Sequence, residues 1–208
     1  MSAPEPPKRF VEPVVLTGQH ATLEPLAREH EAAVRKAAAD GELWRLWYTS
    51  VPAPDRTSAW LDIALDMRER QGAMPFIVRD HSSGDIVGST RYFNVDAVNR
   101  RLEIGHTWYA LRAQRTAINT ECKLLLLTHA FETLRCIAVE FRTHWFNHQS
   151  REAILRLGAK QDGVLRHHQV LADGSKRDTV VFSIIDAEWP AVKGHLRWLL
   201  ERPRTPSQ

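Results

Sequence analysis

The sequence predicts a single mixed α/β (α+β) domain, in which a central, mixed, mostly antiparallel twisted sheet carries helices on both faces. A chain of 208 residues is long enough for one domain with a sizeable core, or at most for two small ones. Early segments with strand periodicity are joined in pairs by short turns, which is typical of antiparallel hairpins. Later strands are joined through helices, and such connections produce a mixed sheet that is covered on both sides.

Proline-rich ends delimit the domain. Residues 1–13 are rich in proline and predict a flexible leader. Residues 203–208 contain two further prolines, Pro203 and Pro206, and predict a disordered tail. We therefore expect the domain itself to occupy residues 14–202.

The spacing of apolar residues along the domain predicts its helices and strands. The first half contains strands at 14–16 and 21–23, a helix at 27–39, a second helix that is capped by Asp55 or Thr57 and runs to about residue 70, and strands at 74–79, 86–93 and 101–109. The second half contains a helix that begins near residue 118, a strand at 137–143, a helix at 148–157, a hairpin at 163–171 and 179–185, and a helix at 186–201. Gly72 and Gly158 each follow a predicted helix, where glycine is a favoured cap.

The composition excludes several classes of partner. The apolar share is 43% and the charged share is 25%, which is ordinary for a globular protein. A net charge of +3, without long runs of Lys or Arg, does not indicate nucleic acid. Cys122, Cys136 and the histidines have no metal-binding spacing. No segment has the character of a signal peptide or membrane span, so we expect a cytoplasmic protein without metal, nucleic-acid or membrane partners.

The stretch from Glu103 to Leu134 contains a strand, a short polar loop and an apolar helix. The loop ends at the N-terminus of the helix, where backbone N–H groups lack intrahelical acceptors and the helix dipole is positive. Such a position suits a phosphate. The alternative is an ordinary helix start that is capped by Thr116 or Asn119.

The loop at 114–119 resembles the acetyl-CoA-binding motif of the GNAT N-acetyltransferases, which reads Gln or Arg, two free positions, Gly, one free position, and Gly or Ala. Gln114 matches the first position, Ala117 stands where the family usually has Gly, and Asn119 takes the sixth position. The continuation through 120–126 resembles the RimJ/RimL-like branch. Further similarity lies at 139–143, 147–151, 157–159 and 178–181, so the resemblance covers roughly residues 14–200 in order.

This resemblance implies a GNAT-like fold with acetyl-CoA as co-substrate. The phosphates would lie on the backbone of 115–119, with side-chain contacts from Gln114 and Arg115. The pantetheine arm would lie along Trp108 and Tyr109, near Asn147. The expected donor-binding residues are therefore Trp108, Tyr109, Gln114, Arg115, Thr116, Ala117, Ile118, Asn119 and Asn147.

Transfer of an acetyl group to an amine requires a base, and Glu103 is the candidate. Its offset from Gln114 is similar to that of the strand glutamate that some GNAT enzymes use, and apolar neighbours should raise its pKa. The alternative is a structural carboxylate paired with Arg101 or Arg91. His106 is a weaker candidate, because strict alternation directs it to the other side of the strand.

Ser150 is the candidate acid for the leaving thiolate, by its resemblance to a serine in RimJ/RimL-like sequences. Many other GNAT enzymes use a tyrosine four residues further on, where this chain has Ile154. The alternative is structural, because Asn147 is a good N-cap and Ser150 would be the third residue of the helix.

In the family, the acceptor cleft lies between the first helical region and the late hairpin. Here these regions contain Trp44, Trp47 and Tyr48 on one side, and Arg166, His167, His168 and Asp173 on the other. Aromatic faces attract a protonated amine. We therefore expect Trp44, Trp47 and Tyr48 to bind a primary amine, with a peptide N-terminus favoured over a polyamine. The alternative is that Trp44 and Trp47 form the buried stripe of a short helix.

The sequence thus favours an acetyl-CoA-dependent N-acetyltransferase that transfers the acetyl group directly within a ternary complex. Two alternatives stay open: a CoA-binding sensor or scaffold with little catalysis, and a loop that binds a different nucleotide. No Walker lysine and no Gly-x-Gly-x-x-Gly run supports the usual nucleotide folds. The seven tryptophans leave room for a homodimer interface.

Overall fold

The computed structural model describes residues 9–49, 51–171 and 173–202 and contains one eight-stranded sheet. The strand order is β1-β2-β3-β4-β5-β6-β8-β7. The strands are β1 (Leu16–Thr17), β2 (Ala21–Pro25), β3 (Met74–Asp80), β4 (Ile86–Asp96), β5 (Arg101–Tyr109), β6 (Ala138–His144), β7 (Lys160–Val170) and β8 (Lys176–Ile185). Within these ranges, β5 and β6 form the one parallel pair and every other neighbouring pair is antiparallel. The predicted mixed, mostly antiparallel sheet is confirmed.

Five α-helices accompany the sheet in the described ranges. They are α1 (Glu31–Ala39), α2 (Thr57–Gln71), α3 (Ile118–Thr128), α4 (His148–Arg156) and α5 (Trp189–Glu201). Single 3-10 turns lie at Arg28–His30, Leu43–Arg45, Pro54–Arg56 and Leu111–Ala113, and α3 continues into a π-helical turn at His129–Thr133. Gly72 ends α2 with a φ of 67°, a conformation that glycine adopts without steric cost.

Neighbouring residues of β4 show that helices cover both faces. Arg91 reaches α2 on one face, where its Nη1 lies 3.1 Å from the Sδ of Met67. Tyr92 reaches α3 on the other, where its hydroxyl donates to the Leu126 carbonyl at 2.6 Å. Successive strand residues point to opposite faces, so α2 and α3 sandwich the sheet. The predicted fold class is therefore confirmed.

A buried carboxylate attaches α3 to the edge of the sheet. Glu121 is 5% exposed and accepts the backbone N–H groups of Gln19, His20 and Ala21 at 2.7, 2.7 and 2.8 Å. Gly18 lies against the same carboxylate, and a Cβ at that position would come within 2.3 Å of its Cδ. These contacts determine where the N-terminal half of α3 lies.

The chain packs on the domain before residue 14, where the sequence places the start of the domain. Val11 is 1% exposed and belongs to the core. Arg9 donates to the carbonyl of Arg68 at 2.9 Å and to the carboxylate of Glu69 at 3.1 Å. The predicted leader up to residue 8 and the predicted tail at 203–208 lie outside the described residues.

Candidate active site

The central feature of the site is a separation of β5 from β6. Their pairing covers Arg101 to Glu103 on β5 and ends where Glu103 lies opposite Glu140. Beyond this register β5 continues to Tyr109 and β6 to His144, each paired with its other neighbour. A strand edge without a partner exposes backbone N–H and C=O groups. The opening can therefore bind an extended ligand through backbone hydrogen bonds.

A β-bulge in β5 changes the direction of His106. Gly105 lies opposite Arg91 and Trp108 lies opposite Ser89, so β5 has an extra residue there, and His106 has a φ of 49°. The His106 ring packs edge-on against Phe93 at 4.8 Å, on the face that carries Glu103. The expectation that His106 faces away from Glu103 is therefore wrong, because alternation fails at a bulge.

Glu103 lies at the point of separation and is 3% exposed. Its Oε2 accepts from Asn94 Nδ2 at 2.9 Å and lies 3.4 Å from Arg142 Nε. Burial raises the pKa of this carboxyl, while Asn94 and Arg142 oppose the shift.

The ion-pair partner of Glu103 differs from the two that the sequence suggests. Arg101 pairs with Glu140 instead. Arg91 forms no ion pair with any described residue, and its contacts are with α2. The partner is Arg142 of β6, which becomes adjacent because β5 and β6 share a register at Glu103.

The loop before α3 has the geometry of an anion site. Ala117 is the N-cap and its side chain caps none of the first-turn N–H groups. Its φ is −66°, which any residue adopts, so the Ala in place of Gly introduces no backbone strain. The positive φ of 58° falls at Arg115. Thr116 Oγ1 accepts the Ile118 N–H at 3.3 Å, so one N–H has the predicted cap.

Gln114 connects this loop to the end of β5. Its Nε2 donates to the Tyr109 carbonyl at 3.1 Å, and the loop thereby closes over the open end of the strand. Asn119 lies half-buried in the first turn of α3. The loop at 114–119, where we expect the phosphates, is therefore hydrogen-bonded to the end of β5, where we expect the pantetheine arm.

Trp108 and Tyr109 are largely buried, at 5% and 8% exposure. The Trp108 ring packs edge-on against Trp60 of α2 at 6.0 Å. Trp108 Nε1 is buried without a hydrogen-bond partner among the described residues, whereas the buried Tyr109 hydroxyl lies beside the Cys122 thiol of α3. Both side chains therefore belong to the packing around the opening, and what β5 offers a ligand at these positions is its backbone edge.

Asn147 and Ser150 lie at the start of α4, directly after β6. The Asn147 side-chain oxygen accepts the Ser150 backbone N–H at 3.0 Å, which is the predicted capping arrangement. This bond uses only the backbone of Ser150, so its hydroxyl is not consumed by the cap. Both residues are half-buried.

Two of the three predicted acceptor aromatics lie at the end of β6. Trp47 packs edge-on against His144 at 4.8 Å and against Tyr48 at 5.6 Å. Trp47 is 59% exposed, so the expectation of a buried helical stripe is wrong for it. Trp44 lies half-buried in the turn at Leu43–Arg45 and is not part of this cluster.

The late hairpin contributes a separate depression. Arg166 pairs with Asp178 at 2.5 Å, and both line a cavity of about 270 Å³ together with Trp145 and Val164. His168 Nδ1 lies 3.1 Å from Thr179 Oγ1.

A second cavity, which sequence reasoning missed, lies beneath α2. It measures about 310 Å³, and its lining comprises Pro52, Arg56, Ala59, Trp60, Ile63, Arg91 and His106. We call it the α2 cavity. The one signal in the sequence is Arg91, a charged residue in the middle of a predicted strand. The bulge at His106 has no such signal.

The described residues contain no group of three or more His, Cys, Asp or Glu side chains that could hold a metal ion. None of the helices in the described ranges is long and apolar enough to cross a membrane.

A strand pair that separates beside a helix N-terminus is an arrangement of an α/β protein that suits an extended, phosphate-bearing ligand. The model of the acetyltransferase (GNAT) domain matches residues 20–160, which is more than half of the chain. The chain therefore belongs to the GNAT acetyltransferase family, as its resemblance at 114–119 predicts.

Relatives support this placement. The chain is 32% identical over 110 residues to "Putative ribosomal N-acetyltransferase YdaF" of Bacillus subtilis, a match that covers 53% of this chain and 59% of the length of YdaF. A GCN5-related N-acetyltransferase from Brucella melitensis is 29% identical with a TM-score of 0.82, covering 91% of this chain and 87% of that one. RimJ of Mycobacterium smegmatis, solved with CoA-disulfide, shares the fold at 19% identity and a TM-score of 0.73, with 90% and 95% covered.

Proposed function

We propose that this protein is an N-acetyltransferase that transfers an acetyl group from acetyl-CoA to a primary amine within a ternary complex. The observation that carries this proposal is the position of Glu103. Its buried carboxylate lies where β5 separates from β6, on the strand that leads to the start of α3. Membership of the GNAT family supports the same chemistry.

Residues along the opening would hold the donor. The first-turn N–H groups of α3, with Gln114, Arg115, Thr116, Ala117, Ile118 and Asn119, would bind its phosphates. The free edge of β5 at Trp108 and Tyr109, together with Asn147, would hold the pantetheine arm. When bound, acetyl-CoA supplies an acetyl group activated as a thioester.

Glu103 would accept the proton that the amine loses. Its raised pKa makes it a better proton acceptor than an ordinary glutamate, while Asn94 and Arg142 hold it in place. The wall at Trp47 and Tyr48 would attract the protonated amine and exclude water around the neutral nucleophile.

The Ser150 hydroxyl would provide a proton for the departing thiolate. Its position at the start of α4 follows from the cap that Asn147 forms with its backbone N–H. The hydroxyl itself can donate elsewhere. An amine that arrives protonated loses two protons on becoming the amide. Glu103 would accept one of them and release it to solvent, and the other would replace the proton that Ser150 gives to the thiolate, so that the products are the amide, free CoA and one released proton.

The acceptor is a primary amine with an apolar or extended body, and we favour a peptide N-terminus over a polyamine. The name of the relative YdaF, which refers to ribosomal N-acetylation, supports this choice. The cytoplasmic location and the homodimer stay predictions of the sequence.

The test is release of free CoA from acetyl-CoA in the presence of N-terminal peptides, amino acids and polyamines. We expect turnover that depends on the amine and forms an amide product. Binding of acetyl-CoA without turnover of any amine would instead support the sensor. Exclusive use of polyamines, or of a hydroxyl acceptor, would contradict the acceptor class.

A further inference from the structure

We propose that the acceptor carries a carboxylate next to its amine, and that Arg91 binds this carboxylate in the α2 cavity. This inference rests on the proposed function, since it assigns the acceptor of the same site. It concerns the chemistry of the acceptor body, which neither the family nor the relatives specify.

The first observation is a buried cation without a counter-ion. Arg91 is 1% exposed, and no described Asp or Glu lies within ion-pair distance of it. Its Nε has no hydrogen-bond partner among the described residues. Its Nη1 contacts the Met67 thioether, which is a weak acceptor, and the guanidinium lies 5.5 Å from the Trp60 ring centroid. A buried charge is normally paired, so this environment lacks an anion.

The second observation is the cavity that Arg91 lines. Its volume of about 310 Å³ is at the lower end for small-molecule sites. Its walls are largely apolar, formed by Pro52, Ala59, Trp60 and Ile63. Two guanidinium groups belong to its lining, and only that of Arg91 is buried. A guanidinium in an apolar site binds a carboxylate bidentately and selectively. The cavity therefore suits a small apolar body with one carboxylate.

The charge state of His106, which also lines the cavity, is consistent with this assignment. Burial lowers the pKa of His106 to about 3, and the positive charges of Arg91 and Arg177 add to the shift. The imidazole is therefore neutral at physiological pH, and Arg91 keeps its charge because its pKa falls only to about 10. Arg91 is thus the cation of the buried floor, whereas Arg56 is exposed at the edge of the cavity.

The third observation is the distance to the proposed base. Arg91 lies opposite Gly105, and Phe93 lies opposite Glu103, so the two sites are two strand residues apart on one face. This spacing corresponds to roughly 7 Å between the backbone positions at which the two side chains begin. An ammonium near Glu103 and a carboxylate near Arg91 would then belong to one dipolar acceptor of about one residue in length. The negative charge of Glu103 would then face the ammonium of the acceptor, and the positive charge of Arg91 would face its carboxylate.

Two sources of the carboxylate share this chemistry: the α-carboxyl of an amino acid, and an acidic side chain next to a peptide N-terminus. Two matched pairs of acceptors distinguish them. The first pair is leucine and leucinamide, and the second is the dipeptide amides Ala-Glu and Ala-Gln. We expect kcat/KM to favour the carboxylate member of at least one pair by about tenfold or more. The pair that shows the preference identifies the source.

The variant Arg91→Met separates the carboxylate site from the fold. Methionine is apolar, matches the Met67 and Trp60 surroundings, and removes the charge. We expect kcat/KM for the carboxylate member to fall about tenfold more than for its amide, so that the preference disappears. Arg91→Lys keeps the charge without the bidentate geometry and should retain part of the preference. The control Arg70→Met, an exposed arginine of α2 that pairs with Asp66, should keep the preference of the wild type.

A binding measurement keeps the inference testable apart from catalysis. N-acetyl-leucine and N-acetyl-leucinamide have no free amine, and we expect only the former to raise the Tm of the wild type in the presence of CoA. Two kinetic outcomes would overturn the carboxylate site. One is equal kcat/KM for both members of each pair in the wild type, and the other is an unchanged preference for the carboxylate member in folded Arg91→Met. If no amine is turned over, the proposed function fails, and the Tm shift alone then decides whether Arg91 binds a carboxylate. Absence of that shift would overturn the inference.

Discussion

The Oε2 of Glu103 lies 3.4 Å from the Nε of Arg142, across the last shared register of β5 and β6. Each residue belongs to one of the two strands that separate beyond this point. The pair therefore marks the inner end of the opening. Asn94 approaches the same oxygen from β4, so three strands hold the Glu103 carboxylate.

Replacement of Glu103 by Gln should lower kcat/KM by ~10²-fold or more, because the shape is kept and the base is lost. Activity needs the ionised carboxylate, which exists above its pKa, and burial raises that pKa above the ordinary value of 4.5. The acidic limb of the wild-type profile should therefore lie above pH 4.5, with activity lost as the pH falls through it. The limb should vanish in Glu103→Gln. An unchanged pH–rate profile in Glu103→Gln would mean that the proton leaves the amine by another route. Replacement of the exposed Glu29 by Gln serves as the control.

Replacement of Ala117 by Glu should weaken binding of acetyl-CoA by about tenfold or more, because it places a negative charge at the proposed phosphate site. The backbone of residue 117 is already helical, and an acidic residue at a helix N-terminus is favourable. The affinity for acetyl-CoA, measured by calorimetry, should therefore fall, while the Tm, measured by thermal unfolding, should not. Ala117→Gln controls for side-chain size. Undiminished affinity in the Glu variant would place the phosphates elsewhere.

Replacement of Trp47 by Ala should raise the KM for the acceptor severalfold, since one cation–π contact contributes ~0.5–2 kcal/mol. The side chain is 59% exposed, so the fold should tolerate its removal. The KM for acetyl-CoA should stay constant. Trp198 on α5 is 55% exposed and provides the matched control. Equal acceptor KM values in wild type and Trp47→Ala would remove Trp47 from the acceptor site.

Replacement of Ser150 by Ala should reduce kcat with little change in stability, because the Asn147 cap uses the backbone N–H of residue 150. Replacement of Asn147 by Ala removes that cap and should lower the unfolding free energy by ~1 kcal/mol. Urea unfolding and steady-state kinetics on both variants separate the two roles. A Ser150→Ala variant that loses stability while kcat stays constant would assign the hydroxyl to the fold.

Replacement of Glu121 by Ala should lower the unfolding free energy by roughly 1–3 kcal/mol or more, because it leaves the buried N–H of Ala21 without an acceptor. Gly18→Ala should also be destabilising, since its Cβ would collide with the Glu121 carboxylate. In the double variant the collision is absent. Its loss of unfolding free energy should therefore be smaller than the sum of the losses in the two single variants. Strict additivity in urea unfolding would show that the two residues do not interact.

Local patterns in the sequence determined the elements and the class of the protein. β5 begins at Arg101 and ends at Tyr109 as its composition predicts, and α2 ends at Gly72. The loop at 114–119 indicated a phosphate site, and the family comparison confirms the predicted class. These features depend on residues close together in the chain, where propensity, caps and turn chemistry act directly.

Only the tertiary structure decided which side chains meet. The partner of Glu103 is Arg142, because the parallel register of β5 and β6 brings together residues that are distant in sequence. His106 joins the face of Glu103, because a bulge interrupts the alternation on which a sequence pattern depends. Arg91 lines a cavity, because α2 covers β4 and leaves space beside Trp60. Strand register, bulges and helix docking are long-range outcomes of packing, and no local period of the sequence encodes them.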